Sequence, residues 1–337
     1  MKALIDRLLK SDEPSIRWKI RTQVLGEGVS SRKIKALQEE IRKSQRVQTL
    51  LSRKDTKGRR DAGRGVYAKW QGAHWVLSTL ADIGYPKGDR SLFPARDRVL
   101  DAWLDPFFYM EFKAVKKEDA YKQEGVPVME GRYRRCASQQ GNALYFLTRL
   151  GLEDGRTAKL AERLLHWRWP DGGWNCDKDP KACHSSFTET LLPMKGLHVY
   201  GMRTKNEGLK KAARQAADVF LKRFLFKRVS NGKILRREFM FLHYPLYWHY
   251  DILAGLKAMA EMGLIKDARC ALALDWLENK KLQGGGWPAE KRYYKVSQTI
   301  GLGTDDVDWG GTNQRKMNEW VTADALYTLR AAGRLRV

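Results

Sequence analysis

Leu77-Ser78-Thr79-Leu80-Ala81-Asp82-Ile83-Gly84 returns as Leu144-Tyr145-Phe146-Leu147-Thr148-Arg149-Leu150-Gly151 and again as Leu256-Lys257-Ala258-Met259-Ala260-Glu261-Met262-Gly263. Each copy sets apolar residues at helical spacing and then places a glycine, the residue that takes the left-handed conformation closing a helix without strain. Weaker copies run Met194-Lys195-Gly196-Leu197-His198-Val199-Tyr200-Gly201 and Leu326-Tyr327-Thr328-Leu329-Arg330-Ala331-Ala332-Gly333. The glycines 84, 151, 201, 263 and 333 therefore mark five comparable helix ends. Between them the pattern predicts second helices, clearest over 156–166 and 267–279, where Leu160 and Leu164, or Ala271, Leu274 and Leu277, form one apolar stripe. The repeating unit is a helical hairpin. A hairpin cannot bury both faces alone, so about five or six copies must either extend as a solenoid or close into a barrel.

Two loops favour closure. Trp169-Pro170-Asp171-Gly172-Gly173-Trp174 and Leu282-Gln283-Gly284-Gly285-Gly286-Trp287-Pro288 each use glycines for a tight turn that returns a Trp to the end of the preceding helix. They resemble the Gln/Trp repeats of squalene and oxidosqualene cyclases. Gln283 keeps the Gln, whereas Trp169 or Arg168 stands near its place in the first copy. From roughly residue 60 onward the chain is similar to the terpenoid-cyclase and protein-prenyltransferase superfamily. That resemblance implies an all-α fold: a single (α/α) toroid over 56–337, with residues 1–55 a helical extension packing on the ring. In the extension, 5–9, 16–25 and 34–51 read as amphipathic helices, with Ser11 or Asp12 as a cap and Pro14 near a helix start. Arg53 to Arg64 is basic and contains glycine, which predicts a mobile surface loop within reach of an anionic ligand.

Composition bounds the function. Of 337 residues, 43% are hydrophobic and 11% aromatic, enough to bury a large core, and the twelve Trp suit an interior lined by broad rings. No stretch approaches the length of a membrane span, and Lys2, Asp6 and Arg7 interrupt the N-terminus, so a cytoplasmic protein is expected. Four Cys, at 136, 176, 183 and 270, show no paired disulfide spacing and are expected as thiols. A net charge of +24 would attract phosphates, acidic glycans or, as a peripheral contact, an anionic membrane surface; it equally suits a solvated surface. No nucleic-acid motif emerges. Glycine-rich nucleotide loops, HExxH and the nucleophile elbow are missing, which argues against nucleotide hydrolysis and Ser-type hydrolysis.

In a toroid the N-terminal ends of the repeated helices face the cavity. This selects Trp70, His74, Trp75, Gln140, Asn142, Trp174, Glu189, Tyr247, Trp248, Tyr250 and Trp320 as ligand-binding candidates, each of which also has an ordinary role in packing or capping. Gly303-Thr304-Asp305-Asp306-Val307-Asp308-Trp309 resembles, in reversed order, the Asp-x-Asp-Asp motif with which class II terpene cyclases protonate an alkene or epoxide. Carboxylates this close raise one pKa by repulsion, which suits an acid; they could equally bind Mg²⁺ or end a loop. His243-Tyr244-Pro245-Leu246-Tyr247-Trp248-His249-Tyr250-Asp251 is the densest aromatic and titratable run. It reads as a wall that stabilises a carbocation, as an acid–base group, or as a core segment after a proline bend. The catalytic candidates are thus Asp305, Asp306, Asp308, His249 and Asp251.

The segment from Asn175 to Phe187 resembles the zinc-binding stretch of prenyltransferase catalytic subunits, with Cys183 matching the Cys ligand. Lys181 stands where that family has an Asp, and Val321 where a His follows, so the inherited site is lost. Cys176, Cys183 and His184, with His249 nearby in type, are the candidates for a new zinc site. The combined expectation is a cyclase- or prenyltransferase-like protein, a transferase or isomerase if an enzyme, that holds an isoprenoid or other apolar ligand with a diphosphate. An acidic-polysaccharide lyase or hydrolase on the same scaffold and a non-catalytic binding or scaffold protein are the alternatives.

Overall fold

A computed structural model describes residues 1–53, 65–297, 301 and 303–335. The described residues form thirteen α helices and five short strands, so the chain is predominantly helical and not purely all-α. No helix among them is long and apolar enough to cross a membrane. The described chain clusters into two compact units, one of residues 1–53, 68–86 and 221–335, the other of 65–67 and 87–220.

The first unit holds α1 (Lys2–Leu9), α2 (Pro14–Lys19), α3 (Arg32–Lys43), α4 (Gln45–Ser52) and α5 (Ala73–Asp82). Its later part, beyond residue 221, supplies α11 (Ile252–Glu261), α12 (Ala271–Asn279) and α13 (Glu319–Ala331). Local chemistry differs from expectation at the N-terminus. Glu13, not Ser11 or Asp12, caps α2 by accepting from the Ser15 amide, while Pro14 opens the helix as expected. A π-helical turn, Ile20–Val24, follows α2. The helix expected over 34–51 breaks at Ser44, which turns extended and caps α4 through the Val47 amide.

Four charged side chains close a ring inside this unit. Lys19 Nζ lies 2.8 Å from Asp82 and 2.9 Å from Asp324, and Lys257 Nζ lies 2.8 Å from each of the same two carboxylates. The quartet is neutral in sum and joins α2, α5, α11 and α13. Tyr244 donates to Asp82 as well, and Lys19 sits over the Tyr244 and Trp320 rings. Burial pushes the Asp82 carboxyl up, but the two ammoniums beside it prevail and hold it well below the usual carboxylate range.

The second unit holds α6 (Phe93–Trp103), α7 (Ser138–Leu150), α8 (Thr157–His166), α9 (Phe187–Thr204) and most of α10 (Glu207–Leu221). Between α6 and α7 a small sheet forms, with β1 (Glu111–Lys113) parallel to β2 (Val126–Met129) and β2 antiparallel to β3 (Arg132–Tyr133). In the first unit β4 (Lys295–Val296) pairs in parallel with β5 (Thr304–Asp305). These strands run two to four residues, too short to show alternation in sequence. Helices α7 and α9 meet backbone to backbone: a Cβ on Gly141 would stand 2.3 Å from the Pro193 nitrogen, and one on Gly196 2.4 Å from the Gly141 carbonyl oxygen.

The repeat is visible in atomic detail. Gly84, Gly151, Gly263 and Gly333 all take positive φ just past their helices, whereas Gly201 lies inside α9, which ends instead at a left-handed Lys205. The two Gly-Gly-Trp loops make matching bonds. The Trp174 indole donates to the Leu164 carbonyl in α8 and the Trp287 indole to the Leu277 carbonyl in α12. Their backbone amides donate to Thr190 and Thr322. A Cβ on Gly173 or Gly286 would run into that same threonine, at 2.5 and 3.0 Å. Gln283 is exposed, so the Trp and Thr, not the Gln, hold the turn.

Candidate functional site

The aromatic run before α11 assembles a cluster in the first unit. Asp251 caps α11 through the Ala254 amide and so fixes where the run enters the helix. Trp70 stacks face to face on Tyr247 with ring centres 4.0 Å apart, and Trp75 meets both edge-on. Trp248, His249 and Tyr293 form a second stack, at 3.9 Å and 3.6 Å. Lys69 lies over Trp248 at one end of this stack and Lys291 over Tyr293 at the other. Trp70 and Tyr247 are buried, but Trp248, His249 and Tyr293 are each half-buried and reachable from solvent.

Two imidazoles sit in this cluster. His243 is buried, with Nδ1 2.9 Å from Asp251 and its ring edge-on to His249 and Tyr293. Its Nε2 and the Nδ1 of His249 are both buried without a hydrogen-bond partner among the described residues. Burial, helped by His243 and Lys69, pushes His249 down to about 3, so this ring is neutral near pH 7. His74, packed edge-on to Trp75, is pushed down to about 3 by burial as well.

The acidic motif is built otherwise than its clustered charges suggest. Asp305 is fully buried and accepts from Arg53, Tyr247, Trp309 and the Val307 amide. Arg53 also pairs with Asp306, while Asp308 is exposed and accepts from the Gly310 amide. Four donors, one of them cationic, thus converge on this one carboxylate. Arg53, expected at the start of a mobile basic loop, is instead buried at 4% exposure; residues 54–64 of that loop lie outside the described residues.

The remaining candidates are distributed. Tyr250 is a core residue whose hydroxyl donates to the Leu225 carbonyl over Gly255. Trp320 stacks on Tyr244 beside the Lys19 quartet. Gln140, Asn142, Trp174 and Glu189 belong to the second unit, where Gln140 is wholly buried and neither of its amide atoms is bonded among the described residues. The expected trio Cys176, Cys183 and His184 does not assemble. Cys183 and His184 are exposed, and among the described residues Cys176 joins Cys136 and Glu189 in the one group of three ligand atoms close enough to share an ion. A cleft of about 1280 Å³ opens in the first unit among α1 to α4, lined by Arg7, Lys10, Arg46, Glu13 and Glu319 and by no aromatic ring. Tyr293 and Lys291 are not singled out by the sequence. Their signal there is an aromatic pair, Tyr293 and Tyr294, set inside the basic run of Lys291, Arg292 and Lys295.

No protein-family model and no curated protein matches the chain. Among solved structures, the apo type II terpene cyclase MstE from Scytonema aligns with a TM-score of 0.41 at 14% identity, covering 96% of this chain and 89% of that one. A variant of MstE in complex with geranylgeranyl dihydroxybenzoate, its substrate, also aligns at 0.41 and 14%, over 99% and 100% of the two chains.

Proposed function

We propose that the chain binds an apolar ligand with an anionic end, of the prenyl diphosphate class, against the Trp248–His249–Tyr293 stack, on an α/α toroid. The observation that carries this reading is a solvent-reachable aromatic wall with an ammonium at each end, beside two buried imidazole nitrogens that have no hydrogen-bond partner among the described residues. Aromatic faces suit an alkene chain or a cation formed from it, and the ammonium at either end, Lys69 or Lys291, suits a diphosphate. His243 is oriented through Nδ1 by Asp251 and leaves Nε2 without a hydrogen-bond partner among the described residues, an arrangement that supports cyclase- or transferase-type chemistry. The alternation of glycine-ended helices with second helices supports the toroid.

The test is a titration of the protein's Trp fluorescence with farnesyl and geranylgeranyl diphosphate, with inorganic diphosphate and the free alcohol as controls. Saturable binding should weaken at least about tenfold in Trp248→Ala, while His243→Asn keeps binding and loses turnover. Absence of saturable binding to every prenyl compound overturns the reading. The closeness of Tyr293 to His243, with the basic surface, favours acidic-glycan cleavage as the second reading. New ultraviolet absorbance from unsaturated ends on incubation with acidic polysaccharides would establish it. Ligand binding with no turnover of either substrate class would leave a binding protein.

A further inference from the structure

Cys136 and Cys176 lie on segments that run side by side, joined by a bridge between Arg134 and Asn175. The Trp174 end of the second segment is fixed to Thr190 on α9. Glu189, in the first turn of α9, is set by the Ser186 cap, which accepts from its amide. Glu189 Oε2 accepts from the Ser138 amide at the start of α7, which leaves Oε1 turned toward Cys176 Sγ at 3.5 Å. The two sulfurs and the carboxylate oxygen all lie within 4.8 Å of one another. All these residues belong to the second unit, so a site formed by them is independent of the prenyl-ligand reading, which rests on residues of the first.

We propose that Cys136, Cys176 and Glu189 bind a zinc ion, with a fourth tetrahedral position left for water or a substrate atom. Tetrahedral arms of about 2.3 Å to sulfur and about 2.0 Å to oxygen place a sulfur and an oxygen ligand roughly 3.5 Å apart, which is the separation seen between Cys176 and Glu189. Two thiolates suit Zn²⁺ better than Mg²⁺ or Ca²⁺, and the Ser138 amide on the second carboxylate oxygen is the outer contact that aims such a ligand. Charge balances as well. Two thiolates and a carboxylate offset Zn²⁺ together with the buried guanidinium of Arg135, which interacts with all three groups and is held over the Phe108 and Trp167 rings.

Reduced protein titrated with Zn²⁺ or Co²⁺ alone tests this. About one metal per chain is expected, and the cobalt form should show a thiolate-to-metal absorption band that Cys136→Ser and Cys176→Ser abolish and Glu189→Gln weakens at least about tenfold in affinity. Alkylation of the wild-type chain gives a readout that no variant can confound. Zinc should protect Cys136 and Cys176 while Cys183, exposed, reacts as before. No stoichiometric metal in the reduced protein, a cobalt band that survives both serine variants, or equal alkylation of Cys136 and Cys176 with and without zinc each overturns the site. A Cys136–Cys176 disulfide whose reduction restores no metal binding overturns it too.

Discussion

Asp305 illustrates how one residue's neighbours decide its role. Three carboxylates within four positions read as a group that shares protons, but Arg53 and three further donors converge on the first of them. Asp305→Asn keeps the shape and removes the charge, leaving Asp306 as the remaining carboxylate partner of the Arg53 guanidinium. The variant should lose about 1–3 kcal/mol in urea unfolding, the size expected when a buried, hydrogen-bonded acceptor is mismatched to its donors. An acid that worked on a substrate would instead lose turnover with stability intact, so the two roles separate in one pair of measurements. The Lys19 quartet follows the same logic. Nothing in an amphipathic N-terminal segment marks Lys19 as fully buried, because its two carboxylate partners lie 63 and 305 positions away.

At the scale of the element, four of the five glycines of the helical phrases, all but Gly201, have a shared and a private reason to be there. The shared one is positive φ, which any side chain resists; the private one is what stands next to it. Gly263 has open space around it, so Gly263→Ala should cost about 1 kcal/mol from the backbone alone. A Cβ on Gly84 would lie 2.3 Å from the Trp18 ring of α2, and Gly84→Ala should cost about 2–4 kcal/mol. Parallel thermal or urea unfolding of the two variants checks the ordering; equal losses would mean that the Trp18 contact does not matter. The helices and Gly-Gly-Trp turns were legible because each depends on spacing and backbone conformation inside a short window. The strands were not, since pairings of two or three residues have no pattern of their own.

Across the whole molecule, buried neutral imidazoles set a pH dependence. His74 takes a proton near pH 6.5 when unfolded but not until about 3 when folded, so the unfolded chain binds more protons in between and acid favours unfolding. Stability should fall by up to about 2 kcal/mol between pH 6.5 and 5 on account of His74, with a smaller part from the half-exposed His249. Asp82 contributes its own loss only at more acid pH, below the ordinary carboxylate range, where the unfolded chain takes a proton on this group and the folded chain does not. Urea midpoints measured across this range should slope downward with acid, and His74→Gln should flatten the slope; a flat wild-type profile would contradict it. By itself the sequence determined the helical phrases, four of their five glycine ends, the Trp-bearing turns and an aromatic run rich in titratable groups, because these rest on local periodicity and residue chemistry. Tertiary structure alone decided that Asp305 is an anchor for Arg53, 252 positions away, that His243 pairs with Asp251 beside Tyr293, and that Cys176 meets Cys136 and Glu189 in place of Cys183 and His184. Charge state, exposure and partner are properties of what the chain brings together in space, and one residue's position in the chain carries no record of them.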